Sequence, residues 1–122
     1  MRLRRQRILF DTDPGIDDAM ALLMLARDAR AELVGISTVF GNASVDTTTA
    51  NALSLCHRFD IDVPVARGAA RPLAREARHF PVEIHGHDGL GDVAPHPLHE
   101  RAPEPADAAR FICDMAQRHG GE

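Results

Sequence analysis

A short apolar strand runs straight into a proline–glycine turn and then a helix, and strand-to-helix alternation continues along the rest of the chain. Arg7 to Phe10 (RILF) reads as a strand, stopped by Pro14 and Gly15 in the segment Asp11-Thr12-Asp13-Pro14-Gly15. Ile16 to Arg27 then reads as a helix, with Asp17 and Asp18 in its first turn and Ala, Leu and Met through its body. Leu33 to Phe40 (LVGISTVF) is apolar on both faces, as a central parallel strand is, and ends in Gly41-Asn42. Val45, Thr49, Ala52, Cys56 and Phe59 alternate spacings of four and three, which is one face of a second helix. Val63 to Ala66 makes a third strand. Ala108, Phe111, Ile112, Met115 and Ala116 mark a last amphipathic helix, with Pro105 near its start and Gly120 just past its end.

This order implies right-handed crossovers and an α/β fold: a parallel, Rossmann-like sheet with flanking helices. The pattern calls for a fourth strand beyond Gly121, so the expectation is that residues 1–122 are the N-terminal part of a single larger α/β domain. Arg67 to His99 is long, rich in Pro, Gly and His, and without periodicity. Loops of that length in compact domains are functional or disordered. Ligands of such sheets sit at the carboxyl ends of the strands, where the aspartates and Gly41-Asn42 fall.

Composition narrows the partners. With 14 basic and 18 acidic residues the formal charge is −4, which argues against a general nucleic-acid binder or a binder of anionic membranes. The longest apolar run, Ala19 to Ala26, is too short to span a bilayer. Arg2, Arg4, Arg5 and Arg7 look like a signal n-region, but a strand and an acidic loop follow in place of an apolar segment. Two cysteines, Cys56 and Cys113, fall in apolar-periodic stretches and read as buried helix-face residues rather than a disulfide framework. A reducing cytoplasm is the expected location.

Asp11, Asp13, Asp17 and Asp18 lie within eight residues. Asp11 and Asp13 are two apart on an extended segment and point the same way. Asp17 and Asp18 begin a helix, whose dipole tolerates negative charge there. Two carboxylates ~5 Å apart repel by roughly 3 kcal/mol at an effective dielectric of about 20. Four together call for a compensating cation, and a hard divalent ion with all-oxygen ligands is the economical one. An EF-hand is excluded, because counting from Asp11 puts Leu22 where the bidentate glutamate belongs. Phosphate-cradling G-x-x-x-x-G-K-[ST] and dinucleotide-binding G-x-G-x-x-G motifs do not occur. His79, His85, His87, His96 and His99 crowd the long loop, but no ligand pair has structural zinc spacing.

The stretch Ile8-Leu9-Phe10-Asp11-Thr12-Asp13-Pro14-Gly15-Ile16-Asp17-Asp18-Ala19 resembles the N-terminal signature of the nucleoside hydrolases, the inosine-uridine-preferring N-ribohydrolase family. Ser37-Thr38-Val39-Phe40-Gly41-Asn42, Pro64-Val65-Ala66-Arg67-Gly68-Ala69 and His85-Gly86-His87-Asp88-Gly89-Leu90-Gly91 agree in order and spacing. The resemblance implies the nucleoside hydrolase fold, incomplete here. It also implies hydrolysis of the N-glycosidic bond of a ribonucleoside to ribose and free base, with one Ca²⁺. By that resemblance Asp13 ligates calcium and acts as general base on the calcium-bound water, and Asp18 is the bidentate ligand. Asp17 holds ribose hydroxyls, and Asn42 sits beside the water or the ribose. His85 approaches substrate from the loop, and Asp11 supports the site from behind.

Family members run to more than twice this length and carry further calcium ligands and the leaving-group residues later in the chain. The resemblance therefore implies little or no activity for the 122 residues alone, and homo-oligomers, dimers or tetramers, for the family. Two alternatives stay open. A haloacid-dehalogenase-like phosphatase would use Asp11 as nucleophile, Asp13 as acid/base and Mg²⁺, with Asp17 and Asp18 unexplained. A non-catalytic remnant would bind only metal or nucleoside.

Overall fold

The structure, a computed structural model, describes residues 4–92 and 100–120. Arg2, His96, His99 and Gly121 lie outside the described residues. Three parallel strands, β1 (Gln6–Thr12), β2 (Ala31–Thr38) and β3 (Val65–Ala66), form one sheet in the order β1-β2-β3. Helices α1 (Ile16–Arg27) and α2 (Val45–Phe59) make the crossovers, α3 (Val82–His85) is a single turn, and α4 (Ala108–His119) closes the described chain.

Each strand splits its side chains between two cores, as the period-2 pleat requires. Leu22, Ile36, Ala52, Leu53, Cys56 and Val65 bury on the α1/α2 face, with Phe10 and Leu33 packed against them. Ala66, Ala108, Phe111 and Met115 form the other core, with Leu9 and Val34 beneath α4. Helices therefore cover both faces, which is the arrangement a parallel sheet needs. Fully burying each aliphatic side chain contributes about 1.5–3 kcal/mol, and Ile36, at 0% exposure in the middle strand, sits at the centre of this packing.

The helices α1, α2 and α4 fall where periodicity puts them, and the strands differ at their ends. β1 reaches from Gln6 to Thr12 because its ladder with β2 continues through Asp11–Ser37 and Thr12–Thr38. β2 begins two residues earlier than hydropathy suggests and stops at Thr38, so Phe40 lies beyond the sheet and bonds Ala69 instead. β3 is only Val65–Ala66, paired with Ile36 and Ser37. α3 was not expected inside the long loop; its lack of periodicity follows from its being one turn long.

Three local expectations change. Cys113 is exposed on α4, while Cys56 is buried, and burial pushes its thiol pKa up. Arg5 and Arg7, which the sequence alone reads as part of a solvated N-terminal tail, are engaged with β2. Arg5 donates from Nε and Nη2 to the carbonyl of Ala31 at 3.1 and 2.7 Å, and Arg7 pairs with Glu32. Gly120 ends α4 in an extended conformation (φ −67°, ψ 151°), whereas α2 ends in a left-handed residue, Asp60 (φ 55°, ψ 50°). No helix among the described residues is long and apolar enough to cross a membrane.

Candidate active site

The carboxyl ends of β1 and β2, the first turn of α1 and the loop after α3 meet at one place. Asp13 leaves β1 half-buried, and its Oδ2 accepts the backbone N–H of Asn42 at 2.9 Å. The Asn42 side-chain Nδ2 then donates both to the backbone carbonyl of Asp13, at 2.9 Å, and to Asp18 Oδ2, at 3.3 Å. One residue at the end of the β2 segment thus ties two acids together across a sequence gap of more than twenty residues.

Asp18 is the third residue of α1 and closes its N-terminus by accepting the Gly15 N–H at 3.2 Å. Burial is the main cause that raises its pKa above the ordinary carboxylate value, the Gly15 bond opposes it, and the charges of Asp13 and Asp17 raise it further. The negative charge gathered here is therefore not compensated by its immediate neighbours. Thr12 adds a second mark of incompleteness: its hydroxyl is buried without a hydrogen-bond partner, although it stands close enough to Asp18 to favour the ionised carboxylate slightly.

The four aspartates are not one cluster. Asp13, Asp17 and Asp18 share the mouth of the sheet, with Asp17 exposed. Asp11 is taken up by the neighbouring strand: Ser37 Oγ donates to its Oδ1 at 2.5 Å, a short, charge-assisted bond. Asp11 and Ser37 are register partners. Ser37 is fully buried and was missed from the sequence, since only the strand register sets it beside an acid.

His85 ends α3, and its Nδ1 accepts the Ile16 N–H at the head of α1, at 3.2 Å. That bond leaves the ring proton of neutral His85 on Nε2. Gly15 permits this closeness, because a Cβ there would stand 2.6 Å from both His85 Nδ1 and Asn42 Nδ2.

Hard oxygen donors with unbalanced negative charge fit a hard divalent cation. Among the described residues, however, no three His, Cys, Asp or Glu side chains are arranged as a metal site. A shell of six to eight oxygens, as calcium takes, would need donors besides Asp13 and Asp18.

Residues 8–122 match the inosine-uridine preferring nucleoside hydrolase family. The chain belongs to that family. It is 40% identical over 120 residues to uridine nucleosidase 1 of Arabidopsis thaliana, covering 98% of this chain and 35% of that protein. To the pyrimidine-specific ribonucleoside hydrolase RihB of Escherichia coli it is 35% identical over 120 residues, covering 98% and 38%. A solved plant nucleoside hydrolase superposes with a TM-score of 0.86 at 32% identity, over 93% of this chain and 36% of the other. The purine-preferring ribonucleoside hydrolase from Gardnerella vaginalis gives 0.87 at 27% identity, over 94% and 37%. The chain thus spans a little over a third of the length of these relatives. Membership in this family sets aside the phosphatase alternative.

Proposed function

We propose that this nucleoside hydrolase chain belongs to a protein that cleaves the N-glycosidic bond of ribonucleosides to ribose and free base. The observation that carries the reading is the Asn42 amide, which holds Asp13 and Asp18 at one point on the strand ends. In this reading residues 1–122 are the N-terminal part of a single nucleoside-hydrolase-like domain, and Asp13 and Asp18 hold Ca²⁺. When bound, calcium lowers the pKa of a water molecule and supplies the positive charge that the acids lack.

The chain's own residues do the rest. Asp13 keeps one carboxylate oxygen on the Asn42 N–H, which orients the group to take a proton from the attacking water. Asp17, exposed at the head of α1, accepts ribose hydroxyls. Asn42 spends its Nδ2 on the acids, which leaves its Oδ1 to face water or ribose. His85 carries a donor at Nε2 for a substrate oxygen. Asp11, bonded to Ser37, stiffens the end of β1 behind them. Carboxylates at this density favour the positively charged, oxocarbenium-like transition state of glycosidic cleavage. A cytoplasmic setting accords with two free cysteines, and assembly into dimers or tetramers with the family resemblance.

Calorimetric titration with Ca²⁺, paired with a ribose-release assay on uridine and inosine, tests the reading. Calcium binding by the wild-type chain, abolished in Asp13→Asn and Asp18→Asn, is the expected result, with little or no ribose released by the 122 residues alone. Wild-type and variant chains that bind calcium alike would overturn the ligand assignment. Should the wild-type chain release ribose measurably, a rate unaffected by Asp13→Asn would overturn the general base.

A further inference from the structure

Asn51 has no place in the chemistry just described, yet it is 1% exposed in the middle of α2. Asparagine is a poor helix former, and a buried amide costs stability unless its hydrogen bonds are met. Here Nδ2 donates to the carbonyl of Pro14 at 3.3 Å and to the carbonyl of Asp88 at 2.8 Å. Pro14 belongs to the turn that carries Asp13, and Asp88 belongs to the loop that follows His85. We infer that Asn51 is a positioning residue, a latch that docks the 85–92 loop on the aspartate turn and so sets where His85 stands. The inference rests on the proposed reading of the site.

Hydrogen bonds within the loop tie it into one piece. Asp92 accepts the N–H groups of His87 and Asp88 at 3.0 Å each, and Asp88 Oδ1 accepts those of Leu90 and Asp92 at 2.8 and 3.0 Å. The Gly91 N–H returns to the His85 carbonyl at 2.7 Å, which joins the histidine to this unit. A rigid loop needs few anchors, and two of them reach the aspartate turn: Asn51, and His85 Nδ1 on the Ile16 N–H. Gly89 shows how close the docking is. It is buried with φ +77°, and a Cβ there would lie 2.9 Å from Asn51 Nδ2. Releasing Asn51 therefore lets the loop shift as a body, and the His85 bond goes with it.

The test uses the calcium-free chain, so that loss of calcium binding would bear on the proposed function and not on the latch. Asn51→Leu keeps the side-chain size and removes both donors. Gly89→Ala disturbs the same contact from the loop side and leaves α2 unchanged. Both variants should give about tenfold faster amide exchange at Ile16, His87, Asp88 and Gly91, the scale of one lost hydrogen bond, with Ile36 in the sheet unaffected. Nitrogen-15 spectra of the His85 ring should pass from a single Nε2–H tautomer to a mixture. An unchanged His85 tautomer in either folded variant would overturn the inference, as would exchange that accelerates equally at Ile36. Should Asn51→Leu fail to fold, Gly89→Ala carries the same test alone.

Discussion

Asp18 performs two tasks with one carboxylate. It closes the N-terminus of α1 through the Gly15 N–H, and it contributes charge to a pocket already holding Asp13 and Asp17. Because burial and those neighbours raise its pKa in the folded state, the fold takes up a proton more readily than the unfolded chain. Stability of the calcium-free protein then falls as pH rises from the ordinary value of 3.8 through the raised value, and stays reduced above it. Asp18→Asn should flatten that fall and be more stable than wild type at neutral pH without divalent ions, with the order reversed in excess Ca²⁺. Urea midpoints across pH 3.5–7, with and without calcium, check both halves. Gly41 is constrained differently. A Cβ there would stand 2.1 Å from Asp13 Oδ2. Gly41→Ala should therefore displace the Asp13 carboxylate from the Asn42 N–H and cost about 1–3 kcal/mol, as overpacking does, measured by urea denaturation.

At the scale of elements, the helices were legible because apolar spacing and helix-forming composition are local, and the structure adds caps the sequence reading did not use. α2 begins at Ser44, whose hydroxyl accepts the Thr47 N–H, and α4 at Asp107, whose carboxylate accepts that of Arg110. Strand ends were less legible, because a ladder stops where its partner stops and not where hydropathy falls. The loop after α3 was readable only as a loop. Its glycines at 86, 89 and 91 all have positive φ (75°, 77° and 85°) and serve as turn residues in a hydrogen-bonded unit. Asp92 organises that unit, and the N–H groups of His87 and Asp88 hold its pKa down to about 2. A depressed acid contributes order that is complete above its ordinary value of 3.8 and is lost as pH falls through about 2. Amide exchange at His87 and Asp88 should accelerate over that interval, before the sheet amide of Ile36 responds. Asp92→Asn, which cannot titrate, should show no such step.

Across the whole molecule, the three-stranded sheet leaves β1 and β3 as its edges among the described residues. An uncovered parallel edge is a template for another strand. Along α1, Ile16, Met20 and Met24 stand 44%, 67% and 70% exposed at every fourth position, which is one exposed apolar stripe. The isolated chain should self-associate at high concentration, seen as a rising weight-average mass in light scattering. A constant monomer mass would show that these surfaces are inert.

The sequence by itself determined the class of fold, the three long helices, the parallel strand order and the aspartate-rich turn at the strand ends, because these follow from local periodicity, composition and turns. Tertiary structure decided how the acids are divided. Strand register gave Asp11 to Ser37, Asn42 joined Asp13 to Asp18, and a buried Asn51 fastened a distant loop to the same turn. Each of these pairings spans more than twenty residues. Only closure of the sheet and packing of α2 bring such groups within a hydrogen bond, so no local pattern could announce them.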